Sequence, residues 1–496
     1  MIPFKTIITY DKTQSIPVYI QISNQIIQLI KRGILSPETK LPSSRALAAM
    51  LNIHRKTVIS VYEELLSQGW IEIIPYTGTF VSGSLPIVKK QTLNPTDSAL
   101  LEKNKAGFSY IKSNLNYVDI INDDSKLFID DGLPDNRLSM VNEIATAYRS
   151  IVKRKKHHIL GYDSIYGNLR LRETLVQYLN QTRGLSIQKD QLLTTRGSQM
   201  GIYLATKIIG IKNGTFVVGA VNYKSVVDTF NEASASVSII NVDKEGLVTN
   251  EIELLCKQKK VAAIYVTSHH NHPTTVALSA QRRMHLLELA RQYRFAVIED
   301  DYDYDFHYDN APILPLASND TNGNVIYIGS LTKTVAPAIR VGYLVAPKDF
   351  IFEAAQQRKF IDRQGDTLLE LAIAQIIDEG SLQRHCKKVL KIYKRRRDLL
   401  CSLLKKELND YLSFDVPDGG MAIWVRLNKK YNWDVIRNAA ANQKLILNDY
   451  RLYDYGATNH NAIRMGFASL NETEIVKTVS IIKSILLDTY EEVQHH

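Results

Sequence analysis

The feature that most restricts this chain is a short apolar run ending in acids and phenols, FAVIEDDYDYDF at 295–306, followed about thirty residues on by SLTKTVAPAIRVGY at 330–343. The first reads as a buried strand. Side chains two apart on a strand share a face, so Asp300 and Tyr302 point together while Asp301 points away. A carboxylate beside a phenol suits a heteroaromatic ring: the acid keeps a pyridine nitrogen protonated, and the phenol hydrogen-bonds a ring hydroxyl. In the second stretch Lys333 stands among Ser330, Thr332 and Arg340, an amine for a Schiff base with hydroxyl and guanidinium donors for a phosphate. A lysine among hydroxyls is commonly a solvated loop residue, and an acid at a strand end is commonly solvated too. The two constellations in this order point instead to one ligand, pyridoxal phosphate.

The chain has 496 residues, enough for two or three domains. No apolar run reaches the roughly eighteen residues of a membrane span, and MIPFKTIITYDK lacks a signal-peptide core, so a cytoplasmic protein is expected. Cys256, Cys386 and Cys401 are scattered without CxxC or Cys/His spacing, which argues against a disulfide framework and a zinc site. The formal charge of +10 favours an anionic partner.

An amphipathic helix is expected over 17–35, with Ile22, Ile26, Leu29 and Ile30 on one face. A shorter helix follows in PSSRALAAMLN, capped by Ser43 or Ser44 and closed by Asn52. A third, 54–68, buries Val58, Val61, Tyr62 and Leu65 and leaves Arg55, Lys56 and Thr57 exposed at its start. That is how a helix enters a DNA major groove. WIEIIP and TGTFVSG then form a wing, with Gly78 at its tip allowing close approach to a sugar-phosphate backbone.

KLPSSRALAAMLN, RKTVISVYEELLSQGWI and GTFV resemble the GntR-family winged helix. From about 126 to 487 the chain resembles the fold-type I aminotransferases. Together the two parts resemble a MocR/GabR-type regulator: a winged helix-turn-helix at 1–82, a linker at 83–125 and an α/β pyridoxal-phosphate-binding domain at 126–488, with a small subdomain from about 381. One short helix is possible near 97–105 of the linker. For roughly forty flexible residues the linker's r.m.s. span is about 35 Å.

The resemblance implies Arg45, Arg55, Lys56, Thr57, Gly78 and Thr79 as DNA contacts, with His54 where Ser or Asn usually caps the recognition helix. It implies Ser198 and Gln199, at the start of an apolar helix after TTRG, as phosphate donors beside Ser330, Thr332 and Arg340. Tyr162 reaches the phosphate across a homodimer interface, and Gly167, Leu171 and Arg172 open the large domain. Tyr223 stacks on the ring, although Val221 and Asn222 replace the usual Pro-Gly before it. Asn271 or His272 partners the ring hydroxyl in a loop where Thr275 replaces glycine; its three histidines lack the carboxylate or cysteine spacing of a metal site. Arg464 grips an effector carboxylate. The basic runs 153–158 and 394–397 read as solvated faces.

These expectations describe a regulator that binds double-stranded DNA and senses an amino compound through aldimine exchange at Lys333. Two alternatives stay open from the sequence: a genuine aminotransferase with a regulatory DNA-binding domain, and a sensor of pyridoxal phosphate itself.

Overall fold

The computed structural model describes residues 3–86, 106, 108–112, 125–154, 157–309, 313–456 and 459–494. They fall into two compact units, Met1–Lys112 and Ser113–His496. Most of the expected linker, the possible helix at 97–105, and Lys155 and Lys156 lie outside the described residues.

In the first unit the helices Val18–Lys31, Ser44–Leu51 and Arg55–Ser67 close around Ile22, Ile26, Leu47, Val58, Val61 and Leu65. Ser43 accepts the Ala46 N–H, and Asn52 ends the same helix in the left-handed region at φ 52°. His54 precedes the third helix without a side-chain hydrogen bond, so the amides of its first turn stay uncapped where Arg55 and Lys56 are exposed. Ile71–Ile74 and Gly78–Val81 form the antiparallel wing. Its tip differs from expectation. Gly78 pairs with Ile74, and Tyr76, fully exposed at φ 60°, occupies the turn. A carbon on Gly78 would meet the Lys40 side chain at 3.0 Å, so this glycine makes room for packing inside the unit.

The second unit is built on a seven-stranded sheet in the order Leu192–Thr195, Gly342–Val345, Val325–Ser330, Ala296–Asp301, Val261–Val266, Thr215–Gly219, Val237–Ile240. Gly342–Val345 runs antiparallel to both neighbours and the other strands share one direction. Every residue of VAAIYV at 261–266 is buried, as expected of a parallel strand covered on both faces. The smaller subdomain packs the helices Ser381–Leu408 and Glu472–Gln494 on a three-stranded antiparallel sheet, Leu412–Phe414, Ala422–Leu427 and Ala462–Gly466. Leu127–Ile129 joins this body as well, pairing with Leu445–Leu447 and placing Ile129 in its core.

The run 394–397 is not the solvated face its composition suggests. Arg396 and Arg397 are each 5% exposed; Arg396 Nη1 meets Asp135 at 2.9 Å, and Arg397 Nη2 meets Asp309 at 3.2 Å. They flank Tyr393 and Leu400 on the inner face of the helix, where paired acids make burial of the charge tolerable.

Gly167 (φ 95°) lets the loop before Asn168 lie against the sheet: a β-carbon there would fall 1.9 Å from Thr194 Oγ1. Thr194 is held in place by Glu370 at 2.8 Å and Arg358 at 3.0 Å. Gly167→Ala is therefore expected to cost about 3 kcal/mol or more through overpacking and a left-handed alanine. A lowered denaturation midpoint for the second unit checks this.

Candidate functional site

The C-terminal ends of parallel strands open on one edge of a sheet, so the loops that follow them meet there. Those loops carry Gly197 and Ser198 after Leu192–Thr195, Tyr223 after Thr215–Gly219, Asn271 and His272 after Val261–Val266, Tyr302 after Ala296–Asp301, and Lys333 after Val325–Ser330.

Lys333 is half-buried, and its Nζ donates to Gly132 O at 2.7 Å. Burial lowers its pKa against the opposing pull of Asp131 and Asp130, favouring the neutral amine. Asp300, near the end of its strand, is 4% exposed. Its Oδ2 accepts from Tyr265 at 2.9 Å, while the buried Oδ1 has no partner among the described residues. Burial, ahead of the opposing Tyr265 hydrogen bond, pushes Asp300 up to about 7. Asp301 bonds instead to Tyr327, so the two successive acids are separated as strand alternation requires. Tyr302 donates to His270 O at 2.9 Å and accepts from Arg464 Nη2 at 3.2 Å.

The helix Ser198–Ile209 starts from Gly197 (φ 76°) with no side-chain cap, leaving its first amides as donors. Arg340, exposed and itself left-handed at φ 52°, lies over this glycine: a β-carbon at 197 would meet its Nη2 at 2.5 Å. Arg340 Nη2 also donates to Arg196 O at 2.9 Å. Ser330 Oγ and Thr332 Oγ1 are hydrogen-bonded to each other at 2.7 Å. With Ser198 and Arg340 they place hydroxyl and guanidinium donors beside the start of this helix. Gln199 contributes its position at the helix start, but its side chain turns away to Thr229 Oγ1, 2.7 Å distant.

Of the two candidates in the histidine loop, Asn271 spends its amide on Thr274 at 2.9 Å. His272 keeps a buried Nδ1 with no partner among the described residues, and its Nε2 stands 3.4 Å from Asp131. Burial, together with the nearby Arg464 and Lys333 charges, lowers His272 to about 4, so the ring is neutral at neutral pH. The rings of Tyr223 and Tyr453 meet it edge to face at 5.2 and 5.5 Å. Thr275 takes φ 65° where the resemblance has glycine, so the loop keeps its turn with a threonine in a strained region. Among the described residues no group of three or more His, Cys, Asp or Glu could hold a metal ion.

Arg464, 1% exposed, donates Nε to Asp131 O at 2.7 Å and Nη1 to Pro273 O at 2.9 Å, besides its bond to Tyr302. Tyr162 stands 81% exposed with the Arg363 guanidinium 4.1 Å from its ring centre. Sequence reasoning missed Asp131, Tyr453 and the carbonyl of Gly132; only the short DDG run at 130–132 could have signalled the first and last. On the winged helix, Arg45, Arg55 and Lys56 are exposed and Thr57, Gly78 and Thr79 half-exposed, with Arg55 Nε 3.3 Å from Ser44 Oγ.

Residues 132–482 match the family model for aminotransferase class I and II, and residues 18–81 match that for bacterial regulatory proteins of the gntR family. An uncharacterized HTH-type transcriptional regulator of Bacillus subtilis, YdfD, is 26% identical, with 93% of this chain and 95% of that protein covered. The probable rhizopine catabolism regulatory protein MocR of Rhizobium meliloti is 21% identical, with 96% and 95% covered. Among solved structures, a Pyrococcus horikoshii kynurenine aminotransferase superposes with a TM-score of 0.68 at 25% identity, over 73% of this chain and 91% of that one. The chain belongs to the aminotransferase class I and II family and, with its GntR-type winged helix, is a DNA-binding transcription regulator of the MocR type.

Proposed function

We propose that the second unit holds pyridoxal phosphate at Lys333 and that DNA binding by the first unit answers to an amino compound received there. The observation that carries this reading is Asp300 Oδ1, a buried acceptor without a partner among the described residues, in the same site as the Lys333 amine and the cradle of Gly197 and Arg340. A protonated pyridine nitrogen is the donor that such an oxygen lacks. The cofactor supplies an aldehyde that takes up primary amines covalently. Ser198, Ser330, Thr332, Arg340 and the helix start at Gln199 would hold its phosphate, Tyr223 would face its ring, and Tyr302 and His272 are placed for its hydroxyl.

Arg464 spends three of its five N–H donors on Asp131 O, Pro273 O and Tyr302, leaving two for an effector carboxylate. It sits on the small-subdomain strand Ala462–Gly466, so an effector carboxylate that draws on this guanidinium in competition with those acceptors shifts that body against the sheet. A tenfold change in DNA affinity needs only about 1.4 kcal/mol of differential binding between two conformations. A homodimer, with the exposed Tyr162 completing the partner's phosphate site, would carry two winged helices for two half-sites. Such a regulator acts in the cytoplasm, where the DNA is.

Lys333→Ala is expected to abolish the absorbance band near the visible edge in the cofactor-loaded protein while leaving the fold intact. An unchanged spectrum would remove the assignment. Release of an oxo acid on adding amino acids would mark turnover, and a DNA-affinity change with cofactor alone would mark a vitamin sensor.

The pH dependence of Asp300 has a definite sign. Its folded pKa, about 7, exceeds the ordinary 3.8, so the folded chain holds this proton more tightly than the unfolded one. Stability from this group is intact below about pH 4 and falls as pH rises toward about 7. Cofactor-free Asp300→Asn should therefore gain on the order of 2 kcal/mol over the natural protein between about pH 5 and 8, read from paired thermal melts.

For the winged helix, Arg55→Ala is expected to weaken operator binding by about 1 to 3 kcal/mol if the arginine reads a base. A salt slope reduced by about one would instead identify a phosphate contact. Affinity measured across a salt series separates the two, and no change in either would exclude this helix as the reader.

A further inference from the structure

Asp131 stands at the rim of the site with one carboxylate oxygen uncommitted. Its Oδ2 faces His272 Nε2 at 3.4 Å; among the described residues its Oδ1 has no hydrogen-bond partner, and the side chain is 32% exposed. Its neighbours are the groups expected to receive an effector. Its own carbonyl accepts from Arg464 Nε at 2.7 Å, and the next carbonyl, Gly132 O, accepts from Lys333 Nζ at 2.7 Å. Burial raises its pKa, but the hydrogen bond from His272 and the nearby Lys333 and Arg464 charges outweigh it and hold the carboxyl well below the usual range. The group is an anion at neutral pH.

Its counter-charges are few. His272 is neutral at that pH, and Arg464 bonds to two backbone carbonyls and a phenol rather than to this carboxylate. Lys333, whose proton burial already loosens, has no ammonium charge left once that amine is joined covalently to an aldehyde, which leaves the carbonyl-bonded Arg464 guanidinium as the cation beside Asp131. The loaded site therefore keeps an ionised, partly open carboxylate beside the point where an incoming amine reacts. Aromatic rings pack about its partner His272: Tyr453 is 4% exposed, meets His272 at 5.5 Å and packs on Trp424 at 6.1 Å. A carboxylate in these surroundings favours a cation and disfavours a second anion.

Resting on the amine-sensing reading above, we infer that Asp131 is the specificity-determining residue of the site and that the effector is an amino compound carrying a second cationic nitrogen, such as a basic amino acid. A carboxylate on the same molecule would still find Arg464; the second nitrogen would neutralise Asp131. An effector ending in a second carboxylate would instead place like charges together.

The test titrates the full-length, cofactor-loaded dimer or monomer, as purified, with lysine, norleucine and 2-aminoadipate, which share a head group and differ in a cationic, neutral or anionic end. The readouts are the half-saturating concentration of the visible absorbance change and the concentration that shifts DNA affinity. Lysine is expected to half-saturate at a concentration about tenfold or more below norleucine, equivalent to about 1.4 kcal/mol, with 2-aminoadipate weakest. In Asp131→Asn the lysine and norleucine values should converge to within about twofold. Norleucine or 2-aminoadipate matching lysine in the natural protein overturns the inference and leaves amine sensing standing; that comparison needs no variant. A lysine preference that survives in Asp131→Asn overturns it too. No spectral response to any of the three, with the Lys333-dependent band present, overturns amine sensing and this inference with it.

Discussion

Parallel strands cannot be joined by a tight turn; each needs a crossover, and the crossovers return every strand in the same direction. In this chain that single constraint brings residues far apart in sequence to one edge of a sheet. Gly197, Tyr223, His272, Tyr302 and Lys333 each follow a strand of the same sheet, and they meet because their strands end together. The antiparallel Gly342–Val345 serves the same end. Inserted between Val325–Ser330 and Leu192–Thr195, it carries Arg340, two residues before its start, back over Gly197.

What was legible in the sequence was what local spacing controls. The alternation of Asp300, Asp301 and Tyr302, the Ser43 and Asn52 ends of the second helix and the inward faces of the three N-terminal helices follow from periods of 2 and 3.6. What was not legible depends on partners hundreds of positions away. Lys333 leans on the carbonyl of Gly132, 201 residues earlier, and Arg464 on that of Pro273, 191 residues earlier. Leu127–Ile129 finds its partner in Leu445–Leu447, near the other end of the chain. The arginines at 396 and 397 misled partly for the same reason: Asp135 and Asp309 are distant in sequence, and Asp398, beside Arg397, supplies the one local acid among these partners.

The electrostatics of the site are set by burial before they are set by charge pairs. Burial is the largest influence on Lys333, His272 and Asp300, and in each it favours the neutral form. Asp131 is the exception, kept ionised by the groups around it. Asp303, buried against His270, is held ionised as well, so in the reading proposed above it is the partial exposure of Asp131 that lets this anion sort ligands by the sign of their charge, since neutral groups recognise shape and hydrogen bonds only.

The same residues also join the subdomains. Arg464, on a strand of the smaller body, is bonded to the histidine loop through Pro273 and to the segment after Leu127–Ile129 through Asp131. Tyr453 O accepts from Asn222 N at 2.9 Å, and Tyr455 and Gly456 N–H both donate to Ala220 O, so a second strand-like strap crosses to the loop that bears Tyr223. Both straps touch the site: one at the arginine, the other next to the tyrosine. A ligand that takes over Arg464 donors or sits against Tyr453 therefore changes contacts between the bodies in the act of binding. In the reading proposed above no separate relay is needed, because the guanidinium offered to the ligand is the one whose other donors hold the two bodies together.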